Sequence, residues 1–393
     1  MREVDLRGLR PGRVLLVKPS SLGDVVDALP VAVGLRRRYP EAHVAWLVKP
    51  EYAALVACSP AVDEVIHLPA AGGVIRRWGG LRQAIRAVRQ GGFDLAVDLQ
   101  GLFRSAWLAW RGRVPLRLGL SSAREGAGLF YTHTVRVPTM EMHAVDRYWL
   151  AAAALGCDGA PPAADLKVPA EASLKAKALL AAARDVGQPP SAAASLSLPG
   201  RGEGEGRGVT GARKPAPHPA LSPEGRGAPP PQALVVLLPG ARWRTKCWPP
   251  ERFAAVADVV VERAGARVAI AGSEQDRPAA RIIRETARNS VVDLTGRTSV
   301  VELAAILVQA ALVVAVDTGP AHLAAALGRP VVAVFGPTNP VRTGPYGAGH
   351  AVVTAQVPCR PCYRRRCGDL RCLEAVSAEE VSEAALEILG RLG

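Results

Sequence analysis

The sequence predicts an α/β protein built from two Rossmann-like halves with parallel sheets and a cleft between them. Three observations predict it. Short apolar runs rich in Val, Leu and Ala, such as 14–17, 43–48, 93–99, 234–238, 312–316 and 331–335, alternate with longer amphipathic segments. Such runs read as strands buried on both faces, and alternation with helices implies right-handed βαβ units. Apolar residues make up 49% of the chain but aromatics only 5%, which suits an α/β interior better than an aromatic-rich β-sandwich. The alternation also breaks once, over 187–232, and then restarts.

In the first half, Val14–Val17 reads as a strand, Lys18–Gly23 as a loop and Asp24–Tyr39 as a helix stopped by Pro40. Strands follow at His43–Val48, Val62–Leu68 and Phe93–Leu99. Leu81–Gln90 and Gly101–Arg111 read as helices, the former basic and amphipathic. Residues 187–232 are dominated by Pro and Gly without apolar periodicity, and a linker or insertion with no core of its own is expected there. The resulting divisions are 1–186, 187–232 and 233–393. In the last, Leu234–Leu238, Arg267–Ala271, Leu312–Val316 and Val331–Phe335 read as strands, and Pro250–Gly265 as a helix. Ser299–Glu302 and Ser377–Glu380 are capping boxes that open two further helices.

With 49 Lys+Arg against 35 Asp+Glu the chain carries +14. The 187–232 segment holds five basic and three acidic residues, so +12 belongs to the two halves. Such charge suits a polyanionic partner, although arginine-rich composition alone produces it too. No zinc finger, helix-turn-helix or aromatic RNA-binding signature is present and the basic residues are dispersed, so nucleic acid is not expected as a partner. The charged start lacks the apolar core of a secretory signal, and no apolar run reaches ~18 residues. A cytoplasmic protein, or one peripheral to a membrane, is expected.

Three loops at strand ends carry the chemistry. The first, Lys18-Pro-Ser-Ser-Leu-Gly-Asp24, lacks both the dinucleotide glycine fingerprint and the P-loop spacing. Asp24 falls in the first helical turn, where it offsets the helix dipole or serves as a general base on a hydroxyl. The second, Pro239–Pro249, is basic, with Arg242, Arg244 and Lys246 suited either to solvent or to phosphates. The third, Val316-Asp-Thr-Gly-Pro-Ala-His322, places Pro320 at a helix start and leaves free N–H groups for an anion. An acid following the Arg267–Ala271 strand, Asp276 or Glu274, suits ribose hydroxyls.

Taken together, the stretches Lys18–Asp24, Asp98-Leu-Gln-Gly101, Lys246-x-Trp248-Pro249, Asp317–His322 and Phe335-Gly-Pro-Thr338 resemble the glycosyltransferase family 9 heptosyltransferases, which build the inner core of lipopolysaccharide. The resemblance spans both halves and skips the 187–232 segment. It implies a GT-B fold, ADP-L-glycero-β-D-manno-heptose as donor, and Kdo-bearing lipid A or a heptosylated core as acceptor at the inner membrane face. It implies an inverting displacement with Asp24 as base and no required metal. Ser20, Ser21, Gly23, Lys246, Asp317, Thr318, Gly319 and His322 would serve the donor with Asp276, and Gln100 the acceptor. Ile75-Arg-Arg-Trp78, Ala123-Arg-Glu125 and Leu129-Phe-Tyr131 resemble the first heptosyltransferase, which implies that Arg76, Arg77 and Arg124 grip acidic sugars. Cys359-x2-Cys362-x4-Cys367-x4-Cys372 resembles a cluster in other members, second heptosyltransferases included. Four thiolates satisfy a structural zinc, though the spacing is not the paired one; plain thiols fit as well, and disulfides are a lesser alternative in a reducing cytosol. A transferase using another nucleotide-sugar, and a non-catalytic sugar-nucleotide-binding module, are the alternatives.

Overall fold

The computed structural model describes residues 6–68, 74–182 and 233–392, with the side chains of 74–78 outside the description. The expected linker 187–232 lies outside the described residues, as do the side chains of Arg76 and Arg77.

The first half runs β1 (Arg13–Val17), α1 (Leu22–Arg38), β2 (His43–Val48), α2 (Pro50–Val56), β3 (Glu64–His67), α3 (Val74–Gln90), β4 (Leu95–Asp98), α4 (Phe103–Arg111), β5 (Leu116–Leu120), β6 (His133–Val135), α5 (Ala144–Ala154) and α6 (Ala170–Ala182). The second runs β7 (Leu234–Leu238), α7 (Pro250–Ala264), β8 (Arg267–Ile270), α8 (Arg277–Thr286), β9 (Val291–Asp293), α9 (Val300–Gln309), β10 (Leu312–Val316), α10 (Gly319–Ala326), β11 (Val331–Phe335), α11 (Pro340–Thr343), β12 (Ala351–Thr354), α12 (Arg371–Glu374) and α13 (Ala378–Gly390).

All pairings in both six-stranded sheets are parallel. The orders are β3-β2-β1-β4-β5-β6 and β12-β11-β10-β7-β8-β9. Numbered within its own half, each is the doubly wound order 3-2-1-4-5-6. The order reverses between β1 and β4 in one sheet and between β7 and β10 in the other. Loops leaving those strands diverge there and open a crevice. The two crevices receive Lys18–Ser21 and Leu99–Leu102 on one side, Pro239–Pro249 and Asp317–Thr318 on the other. Every motif loop but that of Phe335–Thr338 therefore leaves a strand flanking a switch point.

The central strands are buried on both faces, from Val14–Val17 to Leu312–Val316 and Val331–Phe335. Helix α1 is buried from Val25 to Leu35, because it packs on the sheet, on α5 and on α10 of the other half. Helix α6 departs from the expected division at residue 186. Its stripe of Ala172, Ala176 and Leu180 is buried, and it packs on α9 of the second half. Lys175 meets Glu302 at 2.5 Å, and the Arg267 guanidinium donates to the Leu180 carbonyl at 3.0 Å. Helix α13 stays with its own half, on α7.

Candidate functional site

Lys18 ends β1 inside the protein. Its side chain is only 3% exposed, and an ammonium so placed needs partners. It donates to the Leu99 carbonyl at 3.2 Å and to the Tyr148 hydroxyl at 2.8 Å, and it lies 3.4 Å from Asp24 Oδ1. Tyr148, on α5, donates to the same Asp24 oxygen at 2.7 Å. Asp24 Oδ2 accepts from the Ser21 amide at 3.1 Å and the Ser21 hydroxyl at 2.8 Å, which closes a capping box at the start of α1. One oxygen thus caps the helix, as the dipole reading expects, and the other meets Lys18 and Tyr148. The carboxylate keeps 39% of its side chain open. Burial works against its charge, but Lys18, Tyr148 and Ser21 outweigh that and hold its pKa well below the usual carboxylate range. Burial lowers the Lys18 pKa, opposed by Asp24.

The second half mirrors this with a lysine from the loop after its first strand. Lys246 Nζ lies 2.6 Å from Asp317 Oδ2, and the Thr338 hydroxyl donates to the same oxygen at 2.5 Å. Asp317 is buried, whereas Lys246 keeps 18% of its side chain open. Thr338 belongs to the Phe335–Thr338 motif, so the contact joins three motif loops. Trp243 carries two cations, Lys246 at 4.8 Å and Arg365 at 4.5 Å from its ring. Thr318 caps α10, Gly319 opens it and Pro320 follows. Asp276 accepts from the Ser273 amide and hydroxyl at 2.7 and 2.8 Å. A Cβ on Gly240 would fall 1.9 Å from its Oδ1, so its carboxylate lies directly over the β7 loop.

The two switch points face each other. A Cβ on Gly319 would come 2.8 Å from Leu22 Cβ and 3.0 Å from the Gly23 amide nitrogen, and one on Gly23 would meet the His322 ring at 3.0 Å. Glycine at both positions lets the N-termini of α1 and α10 approach. His322 Nδ1 pairs with Asp27 Oδ1 at 3.0 Å across this seam, with side chains 10% and 6% exposed. The structure therefore brings Ser21, Gly23, Asp24, Gly319 and His322 together, with Lys246, Asp317 and Thr318 alongside. Three more contacts cross between the halves. His143 Nε2 lies 2.9 Å from the Gly344 carbonyl, the Tyr346 hydroxyl donates to Asp146 at 2.6 Å, and Asn339 donates to Glu141 at 2.8 Å.

Burial opposes charging of His322, but Asp27, with Asp317 and Asp24 beyond it, holds its pKa up to about 9. A histidine raised above its unfolded value of about 6.5 adds stability that is complete below that value and lost as pH rises through the folded value. The Tm is expected to fall between pH ~6.5 and ~9, by the equivalent of about 2–3 kcal/mol. His322→Gln should flatten that slope. An unchanged slope in thermal melts of the variant would contradict the pairing.

On the other flank, Asp98 ends β4. It accepts from the Gln100 and Gly101 amides at 2.9 and 3.1 Å, and from the Ser105 and Tyr131 hydroxyls at 2.8 and 2.9 Å. It shapes the loop that presents Gln100, whose Oε1 has no hydrogen-bond partner among the described residues. The exposed Arg124 donates its amide to the Gly101 carbonyl at 2.8 Å, so Gln100 and Arg124 share one edge of the cleft. The four cysteines are not gathered as a donor set. Cys372 is buried in the second core while Cys359 and Cys367 are exposed, and among the described residues no three His, Cys, Asp or Glu side chains converge as a metal site. Structural zinc, one of the possibilities raised for the cluster, finds no gathered donor set here, which leaves the plain-thiol alternative.

Sequence reasoning missed Lys18, Tyr148, Asp27 and Thr338 as site residues, although Lys18 and Thr338 lay within motifs it quoted. Asp27 carries a signal, since it lies three positions from Asp24 on one helix face. Tyr148 carries none.

A model of glycosyltransferase family 9 (heptosyltransferase) matches residues 81–371. Lipopolysaccharide heptosyltransferase 1 of Pseudomonas aeruginosa is 33% identical over 368 residues, covering 90% of this chain and 87% of that protein. The chain belongs to glycosyltransferase family 9. Among solved structures, the family 9 glycosyltransferase of Veillonella parvula superposes with a TM-score of 0.76 at 22% identity, covering 99% of both chains. Escherichia coli heptosyltransferase WaaC with ADP gives a TM-score of 0.66 at 26% identity, covering 96% and 99%. The fold is the GT-B arrangement of that family, and the protein is a glycosyltransferase.

Proposed function

We propose that this family 9 enzyme transfers L-glycero-D-manno-heptose from ADP-heptose to the Kdo region of the lipopolysaccharide inner core, with inversion at the anomeric carbon. The observation that carries the reading is Asp24. It is a charged carboxylate with an open side, fixed by Lys18, Tyr148 and Ser21 directly across from the N-terminus of α10. The named relatives support the class of reaction, and the ADP complex of WaaC supports an adenosine diphosphate donor.

In this mechanism the acceptor hydroxyl attacks heptose C1 as the C1–O bond to ADP breaks. The proton passes from the attacking oxygen to Asp24. A strongly depressed pKa makes Asp24 a weak base, but it keeps the group ionised throughout the physiological range. A weak base suffices when the proton leaves late, because an oxygen already bonding to C1 is strongly acidic. The departing diphosphate meets Lys246, the Thr318–Gly319 backbone and the N-terminal dipole of α10, fixed positive charge aimed where negative charge grows. Asp276 holds the ribose hydroxyls. Arg124 and Gln100, with Arg76 and Arg77, receive the acidic acceptor. This reading takes the protein as a first heptosyltransferase acting at the cytoplasmic membrane face, in line with the identity to the Pseudomonas relative.

Purified protein incubated with ADP-heptose should modify Kdo2-lipid A and leave the already heptosylated core untouched, as read by mass spectrometry. Preference for the heptosylated core would place it at a later step, and turnover only with another nucleotide-sugar would overturn the donor.

A further inference from the structure

Helix α4 starts just after the Gln100 loop and turns large apolar rings to solvent. Phe103 and Trp110 are each 45% exposed. The turn Ala127–Phe130 packs onto them, with Phe130 5.3 Å edge-on to Phe103 and 5.6 Å from Trp110. At its tip Leu129 is 86% exposed. The Phe103–Phe130 pair is edge-to-face and Trp110 tilts against Phe130, so the rings pack on one another while staying open to solvent, and a contiguous exposed apolar patch of this kind marks an interaction surface. Its surroundings specify the partner. Between residues 101 and 140 the chain has six arginines and one acid, Glu125. Arg104, Arg111 and Arg113 are exposed around the rings, and Arg111 stacks on Trp107 and Trp110 at 5.9 and 5.8 Å. Neighbouring α3 adds exposed Arg82, Arg86 and Arg89, and Arg89 donates to the Arg111 carbonyl at 3.0 Å.

We propose that the Phe103–Trp110–Leu129–Phe130 face, with its arginine rim, docks the enzyme on an anionic phospholipid surface. Aromatic and leucine side chains enter the headgroup boundary, while arginines keep their guanidinium groups at phosphate level. The charge asymmetry favours this occupant over a protein surface, where the exposed Arg82, Arg86, Arg89, Arg104, Arg111 and Arg113 would demand an unusually acidic partner. The position also fits. The patch adjoins the Gln100–Arg124 edge of the cleft, so docking brings that edge to a lipid-linked acceptor. The inference rests on the lipid-linked acceptor proposed above.

Vesicle sedimentation tests it. Wild-type protein should bind phosphatidylglycerol-containing vesicles, bind pure phosphatidylcholine vesicles at least ~10-fold more weakly, and release from the former as salt screens the arginines. Leu129→Glu, at a side chain with no core to lose, and the Phe103→Ser/Trp110→Ser double variant should each weaken binding ~10-fold or more. Both should keep their turnover on a deacylated, water-soluble acceptor. Wild-type protein that ignores anionic vesicles, or variants that bind as wild type does, would overturn the docking face. Binding confined to an acidic protein, with vesicles ignored, would overturn it equally. Intact vesicle binding without transfer to any Kdo acceptor would remove the acceptor assignment and leave the docking face standing.

Discussion

Asp24→Ala is expected to lower kcat by ~10²–10⁴-fold while ADP still binds. Nucleotide binding should survive because the diphosphate contacts proposed above, at Lys246 and the start of α10, belong to the second half. The variant also strands Lys18, whose ammonium is 3% exposed and loses its only carboxylate within salt-bridge distance among the described residues. Because Asp24 itself is partly open, that loss should cost about 1–3 kcal/mol, less than a fully buried pair. Asp24→Asn separates the two effects. It keeps one acceptor oxygen, for either the Tyr148 hydroxyl or the Ser21 capping contact, but it cannot take a proton. Asn therefore should melt closer to wild type than Ala does and be equally inactive. Turnover within a few-fold of wild type in Asn would refute the base assignment.

Lys246→Met is expected to raise the donor KM and lower kcat together, by ~10²-fold or more in kcat/KM. Lys246 does two things in the structure. It neutralises the buried Asp317 at 2.6 Å, and it brings its positive charge to the N-terminus of α10. Removing it leaves a 4%-exposed carboxylate with the Thr338 hydroxyl as its remaining hydrogen bond among the described residues, which places one uncompensated negative charge where the leaving group must gather its own. Lys246→Met/Asp317→Asn removes that repulsion. The double variant should recover stability lost in the single one without recovering kcat. Full recovery of kcat would mean that Lys246 serves Asp317 and not the diphosphate. Steady-state kinetics with thermal melts of the three proteins decide the matter.

The central strands were legible because a strand buried on both faces must be an unbroken apolar run. Leu234–Leu238, Leu312–Val316 and Val331–Phe335 fall on the expected residues. Edge strands have no such constraint. His133–Val135, Val291–Asp293 and Ala351–Thr354 are short and mixed in polarity, and they escape periodicity. Helix α3 begins at Val74 and not at Leu81, because Gly79 and Gly80 within its first two turns resemble a helix stop. Helix α6 is legible as a helix only in retrospect, and its packing on α9 is not, since the choice of neighbour depends on the other half.

The site follows the same division. Lys18–Asp24, Lys246 and Asp317–His322 stand out because each follows a buried strand, where a parallel sheet presents its chemistry. Tyr148 lies 124 positions from Asp24, and His322 lies 295 from Asp27, so neither partnership leaves a local signature. The cysteines carry the reverse pattern. Their local spacing left a shared metal, disulfides and plain thiols open, and the fold sends Cys372 inward while Cys359 and Cys367 stay exposed.

The central claim is a single displacement at heptose C1, with Asp24 on one side of the sugar and the α10 terminus on the other. The anomeric configuration of the product tests it most directly. With β-configured ADP-heptose and Kdo2-lipid A, the C1–H1 coupling of the new linkage by NMR should report the α configuration. A β linkage would require two displacements or a front-face route, and it would contradict the assignment of Asp24 as a base.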